Sequence, residues 1–225
     1  MLEHTASAPA RAHEALVRAA RSSWSTAQDV RRLATRILED PQQSRYLRRW
    51  LSTYRRSTLD LELPWLPFQV IDRLDAVLDR SSRVFEFGGG GSTVWLARRV
   101  GEVVTAEHDP EWHALLTERT RQFAGVTVLD LDMSPGLDDY VASIDAFPDG
   151  FFDLVVVDGR ERVRCFHHAL PKVRPGGVLI LDDSQRDRYA RAFGIAGEHR
   201  HVTIRGLAPC KTTRAHTTVW TVRDA

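Results

Sequence analysis

The sequence predicts an α/β fold, with a mainly parallel sheet, a closing C-terminal hairpin and an N-terminal helical extension. Three observations carry this expectation. From residue 83 onward, strand-like runs alternate with helical patterns, an order that implies right-handed crossovers and parallel pairing. Val84-Phe85-Glu86-Phe87-Gly88-Gly89-Gly90-Gly91-Ser92-Thr93 reads as a buried strand passing through a glycine turn into a helix. The acids Glu86, Glu107, Asp158, Asp182 and Asp183 fall at or near the strand ends, beyond which open α/β sheets bind ligands.

The elements follow in order. Residues 1–8 are expected to be disordered, and 9–22, rich in Ala and Arg, to be helical. Ser25 and Gln28 have capping-box spacing, and Val30, Leu33, Ala34 and Ile37 then recur on one helical face until Pro41. Tyr46, Leu47, Trp50, Leu51 and Tyr54 give a second stripe, read mostly as core packed on the main domain. These helices form an extension over 1–62 that covers a substrate mouth or makes a homodimer contact, ahead of a main domain over 63–225. Phe68 to Leu78 is helical. Strands are expected at 83–87, 102–107, 126–131, 152–157 and 178–182, with helices at 93–100, 110–123, 136–144, 161–170 and 186–193. The β-rich runs His201–Arg205 and Thr217–Val222 have no helical period between them and form the hairpin.

Composition narrows the class. The chain has 225 residues, 43% of them hydrophobic, enough for one α/β domain and an extension. A net charge of +1 gives no indication of a nucleic-acid or membrane surface. Only Lys172 and Lys211 are lysines; the arginine excess is most simply genomic base composition. The first 25 residues lack an apolar core of signal-peptide length, and no segment has the apolar length to span a bilayer. Cys165 and Cys210 have no metal or redox spacing and are expected to be reduced thiols in a cytoplasmic protein.

The glycine turn resembles the first motif of class I S-adenosylmethionine-dependent methyltransferases, Glu-x-Gly-x-Gly-x-Gly. It begins at Glu86, with Gly88 and Gly90 matching and Ser92 in the third glycine's place. A dinucleotide fold would want G-x-G-x-x-G, and the sixth position from Gly88 is Thr93. Seventeen residues past Gly90, Glu107 ends the second strand, where an acid can take both ribose hydroxyls of an adenosine. Leu170-Pro171-Lys172-Val173-Arg174-Pro175-Gly176-Gly177, then Val178 to Asp183, is similar to the family's region after the fourth helix. The resemblance covers about residues 68–223. It implies a Rossmann-like seven-stranded sheet with its last strand antiparallel, and S-adenosyl-L-methionine as cofactor. Glu86, Gly88, Gly90, Ser92 and Glu107 would bind that cofactor; His108 would line the adenine edge or cap a turn with Asp109 and Pro110, and Asp132 would accept the adenine amine or cap the helix after Pro135.

The remaining acids suggest a metal. Five carboxylates on one rim repel one another unless cations sit among them. Asp158, Asp182 and Asp183 form an oxygen cluster suited to Mg²⁺, or Mn²⁺ in its place. The cluster resembles that of catechol and macrocin-type O-methyltransferases, although Asp182 or Asp183 could instead cap the next helix. Catechol-type enzymes carry a lysine three positions after the first aspartate, where this chain has Glu161. The base is then sought in Glu161, His167 or His168, with Asp158 holding the reacting oxygen through the metal. Methyl transfer to a hydroxyl of a small molecule is expected, without nucleic-acid or membrane partners. The alternatives are a metal-free N- or O-methyltransferase using a general base, and a silent cofactor-binding subunit.

Overall fold

The computed structural model describes residues 26–131 and 136–223; the expected 9–22 helix, the Ser25 cap and Asp132 lie outside them. The sheet contains β1 (Arg83–Phe87), β2 (Glu102–Glu107), β3 (Val126–Asp130), β4 (Phe152–Val157), β5 (Val173–Asp182), β6 (Arg200–Gly206) and β7 (Ala215–Thr221). Its order is β3-β2-β1-β4-β5-β7-β6. The first five strands pair in parallel, and β7 runs antiparallel to both β5 and β6. The order reverses between β1 and β4, which puts a crevice at their C-terminal ends.

The helices are α1 (Thr26–Glu39), α2 (Leu47–Thr53), α3 (Thr58–Leu61), α4 (Phe68–Val77), α5 (Gly91–Ala97), α6 (Pro110–Thr120), α7 (Asp138–Ala142), α8 (Arg162–Ala169) and α9 (Ala190–Ala196). Alternate strand residues point to opposite faces, and each face has its own core. Phe85, Phe87, Val155 and Leu179 pack with Tyr140, Phe166 and Trp220 on one side. Val84, Val103, Leu154, Val156 and Ile180 pack with Phe68, Ile71, Leu74 and Trp95 on the other. Glu86, two residues from Val84, belongs to this second face.

The extension joins that second core. Tyr46 and Trp50 are buried in one cluster with Phe68, Ile204 and Leu207. Three hydrogen bonds tie it to the C-terminal hairpin: Leu207 N to Gln43 Oε1 (3.0 Å), Cys210 N to Thr53 Oγ1 (3.1 Å) and Trp50 Nε1 to Lys211 O (2.8 Å). The α1 stripe is less committed than its periodicity suggests. Leu33 packs on the cluster, whereas Val30 is 60% exposed. β5 and the helix after it differ most informatively from the sequence expectation. β5 begins at Val173 and carries a register shift opposite Phe152 and Leu154, so Pro175-Gly176-Gly177 is a kink within the strand rather than a turn before it. Asp187–Tyr189 is a 3₁₀ turn, and α9 begins only at Ala190.

Candidate active site

Parallel register sets Glu86 beside Thr105. Glu86 Oε2 accepts from Thr93 Oγ1 (2.6 Å) and Thr105 Oγ1 (3.2 Å). Thr93 Oγ1 also accepts from Gly90 N (3.0 Å), so a relay of hydroxyl and amide ties the turn to the acid. The second oxygen, Oε1, is buried with no hydrogen-bond partner among the described residues. Burial raises the Glu86 pKa from 4.5 to about 7, against the opposing pull of the Ser92, Thr93 and Thr105 hydroxyls. A buried carboxylate oxygen left unpaired is a costly arrangement that a ligand's positive or donor group would relieve.

The glycines of the turn have different tasks. Gly88 has φ +85°, and a Cβ there would lie 2.7 Å from the Gly159 Cα, so the tips of β1 and β4 touch. Gly90 is extended, with φ 174°, and a Cβ would meet nothing within 4 Å. The space over Gly90 is open, and its amide is linked to Glu86 only through the Thr93 hydroxyl. Gly91 faces the extension: its Cβ would lie 2.2 Å from Thr58 O and 2.6 Å from Leu63 O.

Glu107 braces the turn from β2. Its Oε2 accepts from Gly89 N (3.1 Å), and its Oε1 from His108 N (2.8 Å) and Asp109 N (3.0 Å). These backbone groups take three of the roughly four acceptor positions of a carboxylate, so Glu107 shapes the site as well as facing it. His108 Nδ1 lies 3.0 Å from Glu107 Oε1 without hydrogen-bond alignment, and its ring meets Tyr140 edge-on at 5.6 Å. Asp109 caps α6 by accepting from Trp112 N (2.9 Å), and Trp112 Nε1 donates to Gly89 O (2.8 Å).

The cations that the acidic rim demands come from the chain itself. Arg162 pairs with Asp158 Oδ1 (2.7 Å) and donates to the carbonyls of Asp158 (2.6 Å), Gly159 (3.0 Å) and Asp182 (2.6 Å), stapling β4 to β5. Asp182 accepts from the Thr217 hydroxyl, its register partner on β7. Asp183 pairs with Arg186 and with Lys211 Nζ (3.2 Å). Asp158, Asp182 and Asp183, expected as a Mg²⁺ triad, are partnered within the chain in this structure. Asp182 and Asp183 already hold a hydroxyl, a guanidinium and an ammonium. No group of three His, Cys, Asp or Glu among the described residues is arranged to hold a metal ion.

Charge separates the three aspartates. Burial, and then the like charge of Asp182, raise the Asp158 pKa to about 8, although Arg162 and Lys211 oppose it. Burial also raises Asp182, against Lys211 and the Thr217 hydroxyl. Asp183 is pushed up by burial but held below its usual value by Lys211, Arg186 and Arg162. Asp158 is the aspartate that reaches a depression it shares with Glu86 and Ser92, walled on the far side by Pro64 and Trp65.

The histidine candidates do not reach this rim. α8 starts after the β4 tip and runs back along the sheet. His167 and His168 end it, and His168 Nδ1 pairs with Asp145 (2.7 Å) in the segment that precedes β4. At about 1.5 Å per residue, helix rise alone takes them several residues, nearly two turns, from the site. Glu161 stays close, at the start of α8, but is exposed and 4.0 Å from Arg164 Nη1. Arg162, Lys211, Thr93 and Thr105 were not singled out as site residues from the sequence.

Comparison with known proteins agrees with this geometry. Residues 85–184 match the family model of a methyltransferase domain. No curated protein matches the chain. Among solved structures, a precorrin-6y C5,15-methyltransferase of Geobacter metallireducens superposes with a TM-score of 0.52 at 13% identity, covering 68% of this chain and 88% of that one. An rRNA methylase of Streptococcus thermophilus gives 0.52 at 17% identity, covering 69% and 95%. A Streptococcus mutans structure in complex with S-adenosylhomocysteine gives 0.51 at 15% identity, covering 69% and 97%. At such identities the superpositions show the fold. The domain match spans the glycine turn, Glu107, Asp158 and the tip of β5. Among the described residues, no helix is long and apolar enough to cross a membrane.

Proposed function

We propose that this protein transfers a methyl group from S-adenosylmethionine to a hydroxyl or amine of a small polar acceptor, with Asp158 as general base. The observation that carries it is the unpaired buried Oε1 of Glu86, at the foot of a turn whose Gly90 has open space above it. That pair fits the cofactor's ammonium end, while Glu107 and the α5 N-terminus flank the same cradle. When bound, the cofactor supplies an electrophilic methyl on a sulfonium. The protein aligns, dehydrates and moves one proton.

Asp158 has the position and basicity for that proton. It lies at the strand-order reversal and lines the depression with Glu86. A carboxylate whose pKa is raised toward working pH accepts a proton effectively while still partly ionised. Arg162 fixes its orientation. Pro64 and Trp65, which directly follow the extension, wall one side of the depression and would shield an acceptor there from water. Metal-assisted O-methylation would require Asp182 and Asp183 to leave their present partners. The test is calorimetry with S-adenosylhomocysteine, followed by transfer of labelled methyl to a panel of small hydroxyl and amine acceptors. Wild-type protein that neither binds the product nor labels any acceptor overturns the proposal.

A further inference from the structure

A second concavity lies beside Arg214, which directly precedes β7. It is a groove of about 540 Å³ between α1 and the loop before β7, lined by Arg31, Arg32, Arg36 and Arg214, with Glu39 as the acid among them. Glu39 is occupied by Arg214 (2.6 Å), and Arg32 reaches only toward the buried Asp29 (3.8 Å). Arg36 has no ion-pair partner among the described residues. Burial, then Arg214 and Arg32, lower its pKa to about 10, against the opposing pull of Glu39 and Asp29. Guanidinium groups crowded in a concave surface, with too few acids, raise the local potential for an anion. Their planar donor forks suit phosphate oxygens bidentately.

The groove is joined to the site through one short loop. Lys211 pairs with Asp183, and Arg214 lies three residues further along. Fully extended chain limits their Cα separation to about 11 Å. Arg214 directly precedes β7, whose Thr217 holds Asp182. We propose that this groove binds the phosphate or pyrophosphate group of a small anionic acceptor whose reactive end lies at Asp158. This rests on the methyltransferase function proposed above. A small anion fits better than RNA, because the groove has the volume of a small-ligand site and the whole chain carries a net charge of only +1.

The experiment is calorimetry of inorganic pyrophosphate against the full chain and an Arg32→Gln/Arg36→Gln variant, with S-adenosylhomocysteine titrated into both. Saturable pyrophosphate binding is expected, weakened at least tenfold in the variant and by added salt, with unchanged affinity for the cofactor product. No pyrophosphate binding, or equal binding by both proteins, overturns the proposal. A single-stranded RNA oligonucleotide that binds more tightly than pyrophosphate, and loses that binding in the variant, assigns the groove to nucleic acid and also overturns it. Should the wild type bind pyrophosphate but not the cofactor product, the methyltransferase function fails, and the groove's link to an acceptor fails with it.

Discussion

Gly91→Ala tests whether the extension really rests on the cofactor turn. The added methyl would sit 2.2 Å and 2.6 Å from the carbonyl oxygens of Thr58 and Leu63. Both are backbone, so neither can rotate away, and the segment from α3 to Trp65 must lift. Overpacking of this severity costs about 2–3 kcal/mol, from which alanine's better helix propensity removes up to about 1, leaving a net loss of about 1–2 kcal/mol. For a chain of this size that lowers the midpoint of thermal unfolding by about 2–8 °C. Displacement of the Trp65 wall should also reduce acceptor turnover more than affinity for S-adenosylhomocysteine. Gly90→Ala is the control, since its Cβ meets nothing: cofactor affinity should fall, with stability reduced by no more than about 1 kcal/mol at this cap position. Thermal scans and calorimetry on both variants decide the matter. A Gly91→Ala protein with the wild-type midpoint and turnover would refute the contact.

Glu86→Gln should weaken cofactor-product binding about 10- to 100-fold, the loss of a charge-assisted hydrogen bond, in calorimetry. The raised Glu86 pKa also gives a sign: its contribution to stability of the free protein is full below pH 4.5 and is lost as pH rises through about 7. A ligand cation requires the ionised form, so binding near pH 6 should release a proton, visible as a heat that depends on buffer ionisation and disappears in Glu86→Gln. Asp158→Asn should lower turnover about 10²- to 10⁴-fold, with cofactor affinity nearly constant; a smaller effect on rate than on affinity would remove Asp158 from the proton transfer. Excess chelator should leave turnover unchanged, and recovery of chelator-lost activity by Mg²⁺ would reinstate the metal. Lys211→Met should destabilise the fold at neutral pH by leaving Asp183 with Arg186 as its main remaining cation, measured by urea denaturation.

The sheet and the cofactor turn were legible because their signals are local. Strands 83–87, 102–107 and 152–157 fall where their apolar runs end in acids, and Glu86 to Ser92 lie within a few residues of one another. What could not be read is what distant segments bring to the rim. The need for cations among the acids was a sound inference from charge, yet nothing in the local sequence marks Lys211 as the partner of Asp183 or Thr217 as that of Asp182. Arg162, one turn beyond Asp158, looks like any surface arginine until the β5 tip comes beside it. The place of the histidines was hidden for a different reason. Their residue type suited a base, but the direction of α8 takes them to the far end of the sheet. The Gly91 contact was hidden because a fourth glycine in a row seems redundant until Thr58 and Leu63 lie on it.

The three hydrogen bonds from Gln43, Trp50 and Thr53 to residues 207–211 span 157 to 164 positions of chain. They set an order of assembly. During synthesis the amphipathic helices of the extension emerge well before Ile204, Leu207 and the hairpin that complete their apolar bed. β7, which must insert between β5 and β6, comes later still. Contacts this far apart make folding slow and leave Tyr46 and Trp50 unsheltered in nascent chains. A chain halted before β6 would have its glycine turn but neither the partner of Asp182 nor the anchor of Trp50. Cofactor cradle and acceptor wall would then mature at different moments, the second only as the hairpin closes.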